Sequence, residues 1–266
     1  MYIHNFDPIL ISIGLIEIRW YSLAYILGIL IGWWLGKKIL NFRMNKQNSS
    51  FHLNNFDNLI SYIIISIIIG GRLGYILFYN FGYYLNNPID IFKIWEGGMS
   101  FHGGLLGVIV GTHFFAKSKK IETFIFLDTI ACVAPIGLFF GRVANFINGE
   151  LFGKPSTLPW SVIFPEIDNV SRHPSQLYEA LLEGVLLFVI LIFFAYDKKT
   201  KTGYCSSIFL ILYGLFRIVS EQFREPDVQI GYVFNMISLG SVLSFIMIIV
   251  GGLILLKAKN NETIIK

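Results

Sequence analysis

Apolar residues in this chain gather in long unbroken runs, without the two-residue alternation of half-buried strands. The runs fall near residues 20–36, 58–79, 99–116, 124–142, 175–196, 204–223 and 232–256. At a rise of about 1.5 Å per residue, runs of this length suit tilted helices crossing a hydrocarbon layer roughly 30 Å thick. The pattern therefore predicts an all-α polytopic membrane protein with seven transmembrane helices. Connections are too short for a separate soluble domain, so residues 1–266 are expected to form a single transmembrane domain. Several predicted spans carry glycines four residues apart: Gly28, Gly32 and Gly36; Gly103, Gly107 and Gly111; Gly137 and Gly141. Such rows let helix backbones approach closely in lipid.

Composition agrees with the bilayer as solvent. Hydrophobic residues make up 55% and charged residues only 14%, against roughly 25% charged in a soluble domain, and the mean hydropathy is +0.64. The net charge of +4 does not point to nucleic acid, because its basic residues lie between apolar runs and form no patch on a polar fold. Cys132 and Cys205 stand far apart in apolar surroundings, without metal-ligand or redox spacing, and read as packing thiols. Asp7, Pro8 and Glu17 interrupt the region where a cleavable leader needs a basic start and an apolar core, so the first span is expected to be retained.

Charge then orients the spans. Lys37, Lys38, Arg43 and Lys46, then Lys117, Lys119 and Lys120, then Lys198, Lys199 and Lys201, then Lys257, Lys259 and Lys266 follow alternate spans, thirteen basic residues in all. The opposite segments hold five: Arg19, Lys93, Lys154, Arg172 and Arg224. By the positive-inside rule the first set is cytoplasmic, so the amino terminus lies outside and the carboxyl terminus inside, which requires an odd number of spans. Trp20, Trp95 and Trp160 then fall at the outer interface, which favours indole.

Arg72, Asp128, Arg142, Glu179, Glu183, Arg217 and Glu221 remain within or at the ends of apolar runs. Each costs about 2.5–3.5 kcal/mol at a helix centre on insertion scales, so seven of them imply a shared polar interior. Tyr213, Arg217, Glu221 and Arg224 share one helical stripe, and Gln176, Glu179 and Glu183 another. Glu179 and Glu183 are expected to neutralise arginines of neighbouring helices, a structural role.

Two segments concentrate chemistry. Gly141-Arg142-Val143-Ala144-Asn145-Phe146-Ile147-Asn148-Gly149-Glu150-Leu151-Phe152-Gly153 sets a guanidinium, two amides and a carboxylate among glycines where the fourth span ends. A guanidinium binds phosphate through two parallel hydrogen bonds, amides hold hydroxyl or ester groups, and glycine lets a ligand approach the backbone. An anionic-lipid site is the reading, with Asn145, Asn148 and Glu150 grouped around Arg142. Glu96 to Gly107 opens the third span and brackets His102 with glycines, whereas His4, His52 and His113 read as structural. No histidine–carboxylate spacing supports a metal site, and no cofactor is expected.

These segments resemble the prolipoprotein diacylglyceryl transferase family. The resemblance rests on the run from Gly141 to Gly153, on Trp20-Tyr21 with Tyr25, Gly70-Gly71-Arg72-Leu73-Gly74-Tyr75 and Phe101-His102-Gly103-Gly104. It extends to His173-Pro174-Ser175-Gln176-Leu177-Tyr178-Glu179 and to Arg217 with Glu221 and Arg224-Glu225-Pro226-Asp227, across nearly the whole chain. It implies transfer of the sn-1,2-diacylglyceryl group of phosphatidylglycerol to the lipobox cysteine of a prolipoprotein, forming a thioether and releasing glycerol 1-phosphate. The setting implied is the bacterial inner membrane, with those two molecules as partners. The family's functional residues carry over onto Tyr25, His102, Arg142, Asn145, Glu150, Gly153 and Arg217, with Asn148 added as a substrate-binding residue. Ser22 and Ala24 around Tyr25, and a short segment between 151 and 172, depart from the family pattern and bear on substrate preference. The competing expectation is a lipid transporter whose arginines bind an anionic headgroup in transit; it calls for broken helices or repeats, which the sequence does not clearly show.

Overall fold

The computed structural model describes residues 2–14, 16–44, 46–225, 232–233 and 237–258. The motif residues Pro226 and Asp227 and the basic residues Lys259 and Lys266 lie outside the described residues. The fold is mostly helical, and contacts divide it into two compact units, Leu40–Leu127 and Met1–Ile39 with Asp128–Lys266.

In the unit Leu40–Leu127, α2 (Lys46–Tyr79) lies along α4 (Phe101–Ser118), with the short α3 (Phe81–Asn86) and two 3-10 turns, Pro88–Phe92 and Ile94–Glu96, between them. Glycine decides this pairing. A Cβ on Gly103 would strike the Gly70 carbonyl oxygen and come within 2.7 Å of the Gly74 Cα, and one on Gly107 or Gly111 would strike Ser66. Backbones in direct contact gain dispersion along the whole seam, the small-residue packing that the four-residue glycine row predicts. Ser100 caps α4 by accepting from the Gly103 N–H at 3.3 Å.

The other unit contains α1 (Trp20–Arg43), which runs past its boundary, and most of α5 (Thr123–Ile147). It continues through α6 (Ser175–Glu179), a π-helical turn Ala180–Leu186 and α7 (Leu187–Ala195), then α8 (Tyr204–Glu221) and α9 (Leu239–Lys257). Gly28 of α1 meets Gly137 of α5 closely enough that a Cβ would stand 3.0 Å from the Gly137 Cα. At the start of α8 the buried Asp128 carboxylate accepts from the N–H groups of Gly203 (2.8 Å) and Ser206 (2.9 Å) and from the Ser206 hydroxyl (2.7 Å). An α5 carboxylate thus caps α8, satisfying donors that have no partner within that helix. Cys132 and Cys205 form no disulfide and are fully buried, as packing thiols should be.

Short strands gather the polar end of this unit. β1 (Tyr2–Ile3) runs parallel to β4 (Val162–Ile163), which pairs antiparallel with β5 (Ser171–Arg172); β2 (Ile9–Ile13) and β3 (Ile16–Arg19) form a hairpin. His4 sits among Phe6, Phe146 and Phe164, and its Nε2 lies 2.8 Å from the Phe146 carbonyl, a structural histidine as expected.

Among the described residues six helical segments are long and apolar enough to cross a membrane: Trp20–Arg43, Phe51–Tyr79, Thr123–Ile147, Ser175–Ala195, Tyr204–Glu221 and Leu239–Lys257. The third predicted span is present as α4, eighteen residues long, but it is not one of the six. Its two histidines and four glycines, which serve the glycine seam and the entry segment, dilute its apolar content. The last span begins at Leu239 instead of 232, because Ser238 caps the helix by accepting from the Ser241 N–H. Before it, β6 (Tyr232–Val233) pairs with β7 (Ile237–Ser238).

Candidate functional site

Six charged side chains from α5, α6, the π-helical turn, α8 and the segment just after it meet in the unit that holds most of the chain. Arg142, near the end of α5, places Nε 2.8 Å from Glu179 Oε2 and Nη2 3.2 Å from Glu183 Oε2. Arg217, on α8, reaches the same Glu179 oxygen through Nη1 at 2.9 Å and Glu183 Oε1 at 3.7 Å, while its Nη2 pairs with Glu221 one turn on. Arg224 Nη1 adds a third guanidinium to Glu179, at 3.5 Å from Oε1. Glu179 and Glu183 are fully buried, and the side chains of Arg142 and Arg217 are only 12% and 9% exposed.

Three arginines face three glutamates, so the cluster is neutral as a whole. That balance is what permits its burial, since an unpaired ion there would cost several kcal/mol by rough count. It fulfils the structural role expected of Glu179 and Glu183. The π-helical turn begins directly after Glu179 and contains Glu183. Such a wide turn inserts a residue into the helix and re-aims the side chains around it, as is frequent at functional sites.

A second network adjoins the end of α5. Asn145, buried, donates through Nδ2 to the Tyr21 hydroxyl and to Glu150 Oε1 at 2.9 Å, and Asn148 Nδ2 reaches the same Glu150 oxygen at 3.5 Å. Tyr21 stacks on Tyr25, with ring centroids 5.6 Å apart. The Glu150 carbonyl accepts from Gln176 Nε2 at 2.7 Å, tying this turn to α6. Arg142, expected among Asn145, Asn148 and Glu150, makes its ion pairs with Glu179 and Glu183, whose carboxylates offset its buried charge. Its Nη1 has no partner among the described residues, which leaves one edge of the fork for a ligand.

Gly153 is fixed by its backbone. It donates to the His173 carbonyl at 3.1 Å, and a Cβ there would strike that oxygen and stand 2.7 Å from the Phe223 carbonyl. Arg172 Nη1 donates to the Gly153 carbonyl at 3.1 Å and pairs with Asp168 and Glu225. The Arg172 hydrogen bond holds the Asp168 carboxyl below its ordinary range. Burial, reinforced by Lys154, holds the His173 imidazole below its ordinary value.

Tyr25, Arg142, Asn145, Asn148, Glu150, Gly153 and Arg217 thus all belong to one unit, as members of the ion-pair cluster and the two networks beside it. His102 belongs to the other, in the first turn of α4 with its ring edge-on to Phe101. Tyr21 and Arg224 join the site without being among the residues expected of it. Arg224 carried a signal, its place on the stripe with Arg217 and Glu221; Tyr21 carried none apart from its place beside Trp20 and Tyr25.

A family model described as prolipoprotein diacylglyceryl transferase matches residues 8–257. The chain is 48% identical over 257 residues to the phosphatidylglycerol–prolipoprotein diacylglyceryl transferase of Rickettsia bellii (strain OSU 85-389), covering 96% of each chain. It is 49% identical over 250 residues to the protein of the same name from Rickettsia felis (strain ATCC VR-1525 / URRWXCal2), covering 93% of this chain and 95% of that one. To the corresponding protein of Nitratidesulfovibrio vulgaris (strain DP4) it is 47% identical over 246 residues, or 92% of each.

Proposed function

The chain belongs to the prolipoprotein diacylglyceryl transferase family, and from that we propose how its residues carry the reaction. It is a multi-pass membrane transferase of lipoprotein maturation that moves the diacylglyceryl group of phosphatidylglycerol to a prolipoprotein. This membership removes the transporter alternative.

The acceptor is the lipobox cysteine. Its sulfur attacks the glyceryl carbon that carries the phosphoester; the C–S bond forms, the C–O bond breaks, and the electron pair leaves with glycerol 1-phosphate. A free thiol with a pKa near 8.5 is only a few per cent ionised at neutral pH, so a base or a cationic field helps its ionisation; His102 is the base of this proposal, and the field of the arginines is the alternative. Arg142 and Arg217 hold the phosphate and stabilise the charge that grows on it as the bond breaks. Asn145, Asn148, Glu150 and the backbone at Gly153 bind the glycerol end, and Tyr25, its hydroxyphenyl face stacked on Tyr21, borders them.

The observation that carries this reading is the convergence of Arg142 and Arg217 on one Glu179 oxygen, which fixes both forks side by side while Arg142 Nη1 stays open. The arrangement is a prepositioned phosphate clamp. α4 is the seventh span, supported by its continuous seam with α2 and by the odd count that the charge bias requires. The termini then lie outside and inside respectively, in the inner membrane. Both units act as one transmembrane domain, because one family match crosses them. The test is to reconstitute the full chain with phosphatidylglycerol and a lipobox peptide and to measure peptide mass and glycerol phosphate release. A peptide gaining one diacylglyceryl group per glycerol 1-phosphate is expected; lipid movement without peptide modification would overturn the reading.

A further inference from the structure

Residues 81–96 connect α2 to α4, and apart from the buried Tyr84 their large apolar side chains lie partly or largely bare. Leu85 is 65% exposed, Ile89 76%, Phe92 77% and Trp95 76%. Ile89 and Phe92 lie three apart in one 3-10 turn, where side chains at that interval eclipse, and Trp95 follows at the same interval in the next turn. They form a ridge. The exposed Phe78 and Phe81 continue it directly from the apolar wall of α2. On the polar side Asp90 accepts from the Tyr83 hydroxyl at 2.6 Å and pairs with Lys93 at 2.6 Å.

A buried arginine holds the segment in this shape. Arg72, from α2, spends its five N–H donors on main-chain carbonyls of the segment and its exit: Ile91 (3.0 Å), Asp90 (2.5 Å), Lys93 (3.1 Å), Gly97 (2.6 Å) and Gly98 (3.3 Å). Its guanidinium also lies over the Tyr84 ring, 5.1 Å from the centroid. Carbonyls tied inward turn the side chains outward.

We propose that residues 81–96 are an interfacial element that beds its Leu85–Ile89–Phe92–Trp95 ridge in the bilayer surface, with Arg72 as the buckle that fixes it. The occupant is lipid. The ridge is continuous with the membrane-facing wall of α2, indole is favoured at the headgroup boundary, and a charged rim at Asp90 and Lys93 borders the apolar face, as in helices that lie on a membrane. The inference goes beyond the proposed reaction and rests only on the membrane embedding of α2, not on the role of His102 or the orientation of the termini.

The test uses the full chain with Cys132→Ala and Cys205→Ala, reconstituted in vesicles of phosphatidylglycerol and phosphatidylethanolamine. Phe92→Cys or Trp95→Cys carries a bimane label, with Glu166→Cys as the exposed polar control on the same side of the membrane. Labels at 92 and 95 are expected to be quenched at least about threefold more than the control by lipids bearing an acyl-chain nitroxide, and about threefold less by iodide. Arg72→Lys, with three donors in place of five, should at least halve the lipid quenching at 92. Quenching by iodide equal to the control would overturn the proposal, as would shielding from both quenchers, which would mean a protein cover. Lipid quenching that survives Arg72→Lys unchanged would overturn the buckle. Diacylglyceryl transfer measured on the same vesicles keeps failure of the proposed reaction distinguishable from failure of the interfacial element.

Discussion

Single residues divide into those whose chemistry is set by type and those whose chemistry is set by partners. Arg142 stands among two amides and a carboxylate in sequence, yet the ions it pairs with are Glu179 and Glu183, about forty residues away in the chain. Arg217 has three carboxylate partners and Arg142 two. Arg142→Lys, which loses the planar fork at the more open site, is therefore expected to slow transfer about tenfold or more, or about 1.4 kcal/mol. Arg217→Lys should cost less in rate and more in stability. Rates on membranes with matched protein and saturating phosphatidylglycerol check this, and the reverse order would move the principal phosphate ligand to α8. Glu179→Gln strips the shared partner of three arginines, so thermal unfolding in detergent should show a loss of about 3–5 kcal/mol. His173 supplies a pH signature. Its imidazole titrates below the ordinary value of about 6.5 because burial and Lys154 both oppose its charge. The unfolded chain therefore protonates first: this contribution to stability is intact above about pH 6.5 and shrinks as the pH falls toward the folded value. Lys154→Gln should raise the His173 pKa in an NMR titration, with His173→Gln assigning the signal; no movement would leave burial as the only cause.

Elements were legible where apolarity and helix coincide and less so where they part. α1, α2 and α5 run past their apolar stretches to Arg43, back to Lys46 and on to Ile147, because main-chain hydrogen bonding continues into polar residues once a turn is nucleated. The π-helical turn at Ala180–Leu186 gave no sequence signal, since it follows from packing: Gly184 lies so close to Phe139 that a Cβ would come within 2.7 Å of that residue's Cβ. Asp128 was legible as a buried charge but not as the cap of α8. Asp128→Ala removes three charge-assisted hydrogen bonds and leaves two buried N–H donors unpaired, so a loss of roughly 1.5–3 kcal/mol is expected in detergent unfolding. A variant as stable as the parent would show that water or a neighbouring hydroxyl replaces the carboxylate.

At the scale of the whole molecule, the six spans found by length and apolarity leave the parity of the topology to α4. Reporters fused after Lys120 and Lys201 are expected in the cytoplasm, and one fused after Phe152 outside. Opposite results at two of these sites would remove α4 as a span or invert the chain. The arrangement of polar groups has a physical logic at this scale too. The Arg–Glu cluster draws on α5, α6, the π-helical turn and α8, and Asp128 ties α5 to α8 through hydrogen bonds to Gly203 and Ser206.

By itself the sequence determined the solvent of this protein, the number of apolar runs, the glycine faces and the family to which its motifs belong. Those follow from one-dimensional quantities: the length of an apolar run against bilayer thickness, the sign of charge between runs, and the types clustered from Gly141 to Gly153. Only the tertiary structure decided which carboxylate answers which arginine, that Tyr21 holds Asn145, and that Arg72 serves main-chain carbonyls instead of an anion. A buried charge must be satisfied by whatever the fold brings near it, and that partner is fixed by helix register and packing, not by neighbours along the chain.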